Sequence, residues 1–294
     1  MNISIRDSIL LSLFPSVLDG LKVLELRNFE LYINNNFEVR LLSSGDIVSL
    51  AEESNIQMYR QNLVRNSCEI CGLLTEYDLS VNPVDKSIEW FTRVVRIAQL
   101  LNAKVVRVDS QLQQEALFPF GKKLDLFTEV FSEVLANTED SGVNLGIENH
   151  GREGNNPIFL MSLVKNIHNP RFGITLDFGN FYWRGYPLSE TMAILKLFAP
   201  YTVHTHIKNI AYPANVQEVY REPGWEYDTY VSPIYNGDVD IERVMVELKQ
   251  NNYQNSFCIE DESLTKFDEK ERIEVLKADI SFIQEIINDI KFEN

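Results

Sequence analysis

Four residues of metal-binding type, Glu148, Asp177, His206 and Glu260, each close a short apolar run. The runs are Val143 to Glu148, Gly173 to Asp177, Thr202 to His206 and Ser256 to Glu260, and each reads as a buried β-strand. The four residues are separated by 29, 29 and 54 positions. One strand–helix repeat of an eightfold α/β barrel takes roughly 30 residues, from about 250 residues over eight repeats. The intervals therefore read as one repeat, one repeat and two repeats. Such a phase would put all four side chains at the C-terminal mouth of one barrel, where enzymes of this architecture hold their active sites.

Side-chain parity supports a common direction. Val143, Leu145 and Ile147 share one face of their strand, and Gly146 and Glu148 the other. Val203, Thr205 and Ile207 oppose His204, His206 and Lys208, while Phe257 and Ile259 oppose Cys258, Glu260 and Glu262. The apolar face can pack on outer helices, leaving the polar face inside the barrel. Three converging carboxylates would repel one another, and buried charge is costly unless paired or bound to a metal. A divalent cation resolves that conflict. The oxygen-rich set suits Mn²⁺ or Mg²⁺, with Zn²⁺ or Co²⁺ still open. The competing reading is four separate strand ends held in ion pairs.

The elements that would carry these residues alternate along the chain. Leu21 to Leu26 reads as a first strand, Ile47 to Arg65 as a helix broken near Asn55, and Ile70 to Leu79 as a second strand. Val84 to Leu101 has Ile88, Phe91, Val94, Val95, Ala98 and Leu101 at helical spacing. Lys104 to Val108 is a third strand and Leu124 to Ala136 a helix, with further helices at Ile158 to Ile167, Leu188 to Phe198, Ile241 to Gln250 and Glu269 to Ile290. The seventh strand is placed within Tyr227 to Ile234. Alternation of this kind implies a parallel sheet, and eight repeats favour a (β/α)₈ TIM barrel over an open doubly wound sheet. No Gly-x-Gly-x-x-Gly follows a strand, so a dinucleotide fold lacks its phosphate loop.

The chain of 294 residues has no linker-like division and reads as one domain, residues 1–294, with its barrel core at about 20–290. A net charge of −16 opposes contact with phosphate backbones and anionic membranes, which argues against a nucleic-acid or membrane partner. The N-terminus lacks signal-peptide features, no apolar stretch approaches ~18 residues, and three cysteines point to reduced thiols and a cytoplasmic location. Cys68 and Cys71 have the spacing of a redox or zinc pair, but without a second pair they read as ordinary buried thiols.

Three segments resemble hallmark sequences of the xylose-isomerase-like TIM barrel superfamily: Ile147-Glu148-Asn149-His150-Gly151, Leu176-Asp177-Phe178-Gly179-Asn180 and Val203-His204-Thr205-His206-Ile207-Lys208-Asn209. Asn236-Gly237-Asp238-Val239-Asp240 resembles the segment before that family's seventh helix, and Ile259-Glu260 its final Ile-Glu. The resemblance implies that Glu148, Asp177, His206 and Glu260 occupy the metal positions, His206 being preferred over His204 because the family ligand precedes x-Lys. It also implies that Glu148 and Glu260 serve as the carboxylates that take and return a proton. The activity implied is a divalent-metal-dependent sugar or sugar-phosphate isomerase or epimerase working through an enediolate. The cation would polarise the substrate carbonyl. A keto-polyol dehydratase of the inosose type, or a silent sugar-binding protein on the same fold, are the alternatives. The superfamily's DNA-repair nucleases need more histidines than the four present.

Lys208 could stabilise oxyanion charge or hold a phosphate, or be a solvated rim lysine. Arg107 and Glu25, at barrel-strand positions, would contact substrate or form structural ion pairs, and His150, His204 and Asn180 would lie near the substrate. Two positions depart from the family pattern: Asn180 stands where many members have His, and Asn209 where many have Asp. Both remove an acid or base. The long segment from Ile210 to Asn236 carries Tyr212, Tyr220, Trp225, Tyr227, Tyr230 and Tyr235 and reads equally as an active-site lid or a homo-oligomer interface.

Overall fold

A computed structural model describes residues 1–292. Eight parallel strands close into a barrel. They are β1 Ile3–Arg6, β2 Asn28–Tyr32, β3 Glu69–Leu74, β4 Val105–Val108, β5 Asn144–Glu148, β6 Phe172–Asp177, β7 Thr202–Ile207 and β8 Phe257–Ile259. The ring closes through β1, where Ser4 lies opposite Asn28 on one side and Cys258 on the other. Around it run α1 Asp7–Leu13, α2 Val17–Val23, α3 Glu53–Asn66, α4 Val84–Leu101, α5 Phe120–Asn137, α6 Pro157–Ile167, α7 Leu188–Phe198, α8 Ile241–Gln250 and α9 Glu269–Phe292.

The expected barrel is present, but its strands are numbered differently from the sequence reading. Leu21 to Leu26 is the end of α2 and the turn after it. Leu21 and Leu24 are buried and three apart while Val23 is exposed, which is helical and not alternating order. Ser16 caps that helix by accepting the Asp19 amide. The first strand is instead Ile3–Arg6, so the barrel begins well before residue 20. The stretch Tyr227 to Ile234 supplies no barrel strand. It holds a short helix, Tyr227–Tyr230, and Val231–Ser232, which pairs antiparallel with Asn209–Ile210 outside the ring. The four residues therefore stand on the fifth, sixth, seventh and eighth strands. The 54-residue interval is one repeat swollen by an insertion, not two repeats. Ile47–Ser49, expected to be helical, pairs with Glu38–Arg40 in a small hairpin before α3.

The helices pack on the barrel through apolar faces. Phe91, Phe127, Phe131 and Phe159 from α4, α5 and α6 form edge-to-face and tilted ring contacts at centroid distances of 5.1 to 5.9 Å. Two register shifts re-aim side chains at the interior: one between Phe29 and Glu30, opposite β3, and one between Ile174 and Thr175, opposite β7. The first sets Gly72 opposite Glu30. A Cβ on Gly72 would lie 2.8 Å from Val105 Cγ1, so glycine leaves room for the Val105 side chain, with His204 Nε2 at ordinary contact distance, 3.5 Å.

Candidate metal centre at the C-terminal mouth

Glu148 and Asp177 are the last residues of β5 and β6, His206 is the penultimate residue of β7, and Glu260 is the first past β8. All four are buried, and one ligand-type atom from each lies within 4.8 Å of the other three. His206 Nδ1 is 3.3 Å from Glu148 Oε1 and 3.1 Å from Glu260 Oε2. Three of the converging atoms, Asp177 Oδ2, His206 Nδ1 and Glu260 Oε2, make no hydrogen bond although they are buried. Buried polar atoms are normally satisfied, so their convergence on one point needs an explanation. A divalent cation among three carboxylate oxygens and one imidazole nitrogen supplies it, and the donor set suits such an ion.

Each of the four converging groups is fixed by its other side. Asp177 Oδ1 accepts the amides of Gly179 at 2.8 Å and Asn180 at 2.7 Å, which leaves Oδ2 facing the centre. Asn149 locks the adjoining backbone, donating to Asp177 O and accepting from Asp177 N. Arg107 Nε donates to Glu148 Oε2, and Arg6 Nη1 donates to Glu260 Oε1. Two arginines thus hold the outer oxygens of the two glutamates while the inner oxygens face His206. His206 Nε2 lies 2.9 Å from Glu30 Oε2, and His204 Nε2 lies 2.8 Å from Glu30 Oε1. Imidazole ligands commonly give their second nitrogen to a carboxylate in this way.

Electrostatics follow from this packing. Burial alone would raise the Glu30 carboxyl, but His206 and His204 hold it down at about 2. Burial also works against ionised Glu148 and Glu260. Arg107 and His206 outweigh it for Glu148, and His206, Arg6 and Lys208 for Glu260, so both lie below the usual carboxylate range. Asp177 goes the other way: burial, with Glu260 and Glu148 nearby, pushes it well up against the pull of Lys208. His206 resists burial and is held well above its ordinary value by Glu30, Glu260 and Glu148.

Most of the other residues expected near the site are there. Lys208 Nζ is 3.4 Å from Asp177 Oδ2 and 2.9 Å from Glu262 Oε1, so it is buried in the mouth and not solvated at its rim. Asn180 Nδ2 donates to Glu148 Oε1 at 3.3 Å. His150 stands at the rim, 2.9 Å from Asp109 Oδ1 through Nδ1, and Asp109 is 3.4 Å from Arg107. His204 is buried against Glu30. Glu25 is a correction. It is exposed, in the left-handed conformation after α2, and lines a cavity of about 940 Å³ at the opposite, N-terminal mouth with Arg27, Cys68 and Cys71. Its expected place depended on the misassigned first strand; Glu30 on β2 is the acid inside the barrel. Cys68 and Cys71 are free thiols, half-buried where full burial was expected. Asn209 is structural: its amide donates to Ile234 O and Val239 O and accepts from Val239 N, and a Cβ on Gly237 would collide with it.

The sequence reading missed Arg6, Glu30 and Asp109, whereas Glu262 stands on the inward face where parity put it. The signal for two of them was available. Ile3-Ser4-Ile5-Arg6 and Phe29-Glu30-Leu31 both alternate, with the apolar residues facing the helices and the polar ones facing inward.

A family model described as the xylose isomerase-like TIM barrel matches residues 27–286. An uncharacterised protein of Methanocaldococcus jannaschii is 27% identical over 166 residues, which are 55% of this chain and 51% of that one, so the chain spans about half of that relative. Among solved structures, a D-tagatose 3-epimerase-like protein superposes with a TM-score of 0.64 at 19% identity, over 98% of this chain and 100% of the other. The IolI protein with a bound zinc atom gives 0.66 at 16% identity, over 99% of each. Identities this low establish a shared fold.

Proposed function

As the chain belongs to the xylose isomerase-like TIM barrel family, we propose that it is a divalent-metal-dependent isomerase or epimerase of a small keto-sugar. The observation that carries this reading is the convergence of buried atoms of Asp177, His206 and Glu260 that make no hydrogen bond, beside Glu148 Oε1. These four residues would hold the ion, and the zinc in the IolI structure is consistent with a metal on this fold. When bound, a divalent cation would polarise a substrate carbonyl and raise the acidity of the neighbouring C–H.

The protein's own groups account for the rest. Glu148 and Glu260 sit on the fifth and eighth strands with their inner oxygens turned toward one space and their outer oxygens pinned by Arg107 and Arg6. One carboxylate would take the carbon-bound proton. The other, protonated from solvent, would return a proton to the opposite face. Lys208, held by Glu262, stands where it can balance negative charge on an enediolate oxygen. Asn180 steadies Glu148, and the Asp109–His150 pair fixes an imidazole at the rim for a substrate hydroxyl.

Turnover in D₂O tests the proposal. A set of ketoses incubated with the Mn²⁺-loaded protein should yield product carrying solvent deuterium at the inverted or isomerised carbon. Retention of the original hydrogen in both product and recovered substrate would refute proton transfer by two carboxylates. Absence of product and of exchange across the whole set would refute an enzymatic role for this site.

A further inference from the structure

Above the carboxylates, Glu262 makes two contacts, one to Lys208 and one to Tyr227, and the proposed reaction uses only the first. Glu262 Oε1 is 2.9 Å from Lys208 Nζ, and Glu262 Oε2 accepts the Tyr227 hydroxyl at 2.5 Å. Tyr227 comes from the insertion after β7, so one carboxylate ties that insertion to the barrel. The insertion is itself braced. The Arg221 guanidinium lies 4.5 Å from the Tyr182 ring and 4.3 Å from the Tyr212 ring, and donates to the carbonyls of Tyr182 and Tyr186. Tyr227 is therefore presented from an anchored segment. Below the contact the side chains of Glu148, Asp177, His206, Lys208 and Glu260 are at most 7% exposed, whereas Glu262 is 40% exposed. Of the groups around this centre, Glu262 is the one carboxylate that meets both the buried lysine and solvent.

The charge arrangement has a consequence for substrate choice. Besides His206, three basic side chains reach the centre, and each has a carboxylate partner: Arg107 with Glu148, Arg6 with Glu260, and Lys208 with Glu262. Apart from the ion itself, a phosphate ester entering the mouth would find Lys208 already paired with a carboxylate. It would meet the Glu262 carboxylate first, in a protein of net charge −16, and like-charge juxtaposition is strongly unfavourable. With a divalent ion drawing on Asp177 and Glu260, Lys208 would depend on Glu262 alone for its counter-charge. We propose that Glu262, held by Tyr227 and Lys208, is a specificity-determining residue that excludes phosphate esters and reserves the site for uncharged keto-sugars. This rests on the sugar isomerase reading and narrows it from sugar or sugar phosphate to the uncharged sugar.

Ligand binding to the full chain loaded with Mn²⁺ tests the inference without turnover, because Mn²⁺ broadens the NMR lines of any ligand that approaches it. The probes are D-fructose, D-fructose 6-phosphate and inorganic phosphate, and the proteins are wild type, Glu262→Gln and Tyr227→Phe. In wild type the free ketose should be broadened and the two phosphate compounds should not. Glu262→Gln, which leaves Lys208 uncompensated, should gain phosphate and phosphate-ester binding by at least about tenfold while keeping the ketose. Tyr227→Phe keeps the charge but frees the carboxylate, and should give a smaller gain of the same sign. Tighter binding of the phosphate ester than of the ketose in wild type would overturn the proposal. So would ketose binding with phosphate equally excluded from wild type and both variants; that outcome would leave the sugar reading intact. Absence of ketose broadening with Mn²⁺ held at the centre would overturn the sugar reading, and the inference with it.

Discussion

Two buried clusters meet at His206, and they differ in a way that separates a ligand site from its support. On one side, Glu148, Asp177 and Glu260 converge with His206 Nδ1, and three of the four facing atoms lack a hydrogen bond. On the other, Glu30, His204 and Cys258 gather around His206 Nε2 with ligand-type atoms equally close together. There, both imidazole Nε2 atoms already lie within hydrogen-bond distance of the Glu30 carboxylate. Proximity alone does not distinguish the clusters; satisfaction does. The first leaves three buried ligand-type atoms without hydrogen bonds, as a cation site should. In the second, Glu30 takes both Nε2 atoms and His204 Nδ1 is left without a hydrogen bond, so it is the better satisfied of the two, and it turns the His206 ring toward the first.

The largest test of this difference is removal of Asp177. Asp177→Asn keeps the shape but replaces a ligand oxygen without full charge, and Mn²⁺ affinity by calorimetry should fall more than about 100-fold with the circular dichroism spectrum unchanged. Glu148→Gln and Glu260→Gln should each lower turnover by a factor of about 10² to 10⁴, the range of lost acid–base catalysis. Metal content on the same samples separates a lost base from a lost ion. In the supporting cluster, Glu30→Gln should weaken metal binding by roughly 10- to 100-fold, because it orients a ligand without being one. Cys258→Ser should leave metal affinity unchanged; an equal loss in both variants would erase the distinction between the clusters.

Proton linkage sharpens the comparison. The carboxylates hold a proton on His206 well above the ordinary histidine range, and an ion at Nδ1 must displace it. Metal affinity should therefore rise with pH up to the raised His206 value, and calorimetry in buffers of different ionisation enthalpy should show proton release. The smallest effect lies outside both clusters. Burial raises Asp7 from 3.8 to about 7, offset in part by the Tyr32 amide that its carboxylate accepts. The folded state then holds a proton that the unfolded chain has lost, so this residue lowers stability as pH climbs from about 4 to about 7 and adds no slope above that. Asp7→Asn should flatten the urea-midpoint profile over that window.

The barrel class and the convergence of Glu148, Asp177 and His206 were more legible in the sequence than the numbering of the strands. Glu148, Asp177 and His206 end apolar runs one repeat apart, and strand parity alone directs their side chains inward. Strand counting was less secure because two segments imitate strands. Leu21 to Leu26 is apolar enough to pass for one, yet Leu21 and Leu24 are buried at helical spacing. The β-prone run before Ile234 lies in an insertion whose aromatic residues pack around Arg221. Two strands were missed, Ile3–Arg6 and Asn28–Tyr32, and two were assigned where none stands, Leu21 to Leu26 and the stretch near Tyr227, so the total stayed at eight. The groups that hold the ligands in place were harder to read. Arg6 and Glu30 are singular charges in short strands, and nothing local shows that they meet Glu260 and His206 more than 170 positions away.

The central claim is that the four mouth residues, and not the neighbouring Glu30–His204–Cys258 group, bind one divalent cation. Anomalous diffraction from crystals of the Mn²⁺-loaded protein tests it most directly. The account predicts a single strong peak at about 2.0 to 2.6 Å from Glu148, Asp177, His206 Nδ1 and Glu260. A peak on the Glu30 side of His206, or no peak at either cluster in protein shown to be folded and fully exposed to Mn²⁺, would contradict it.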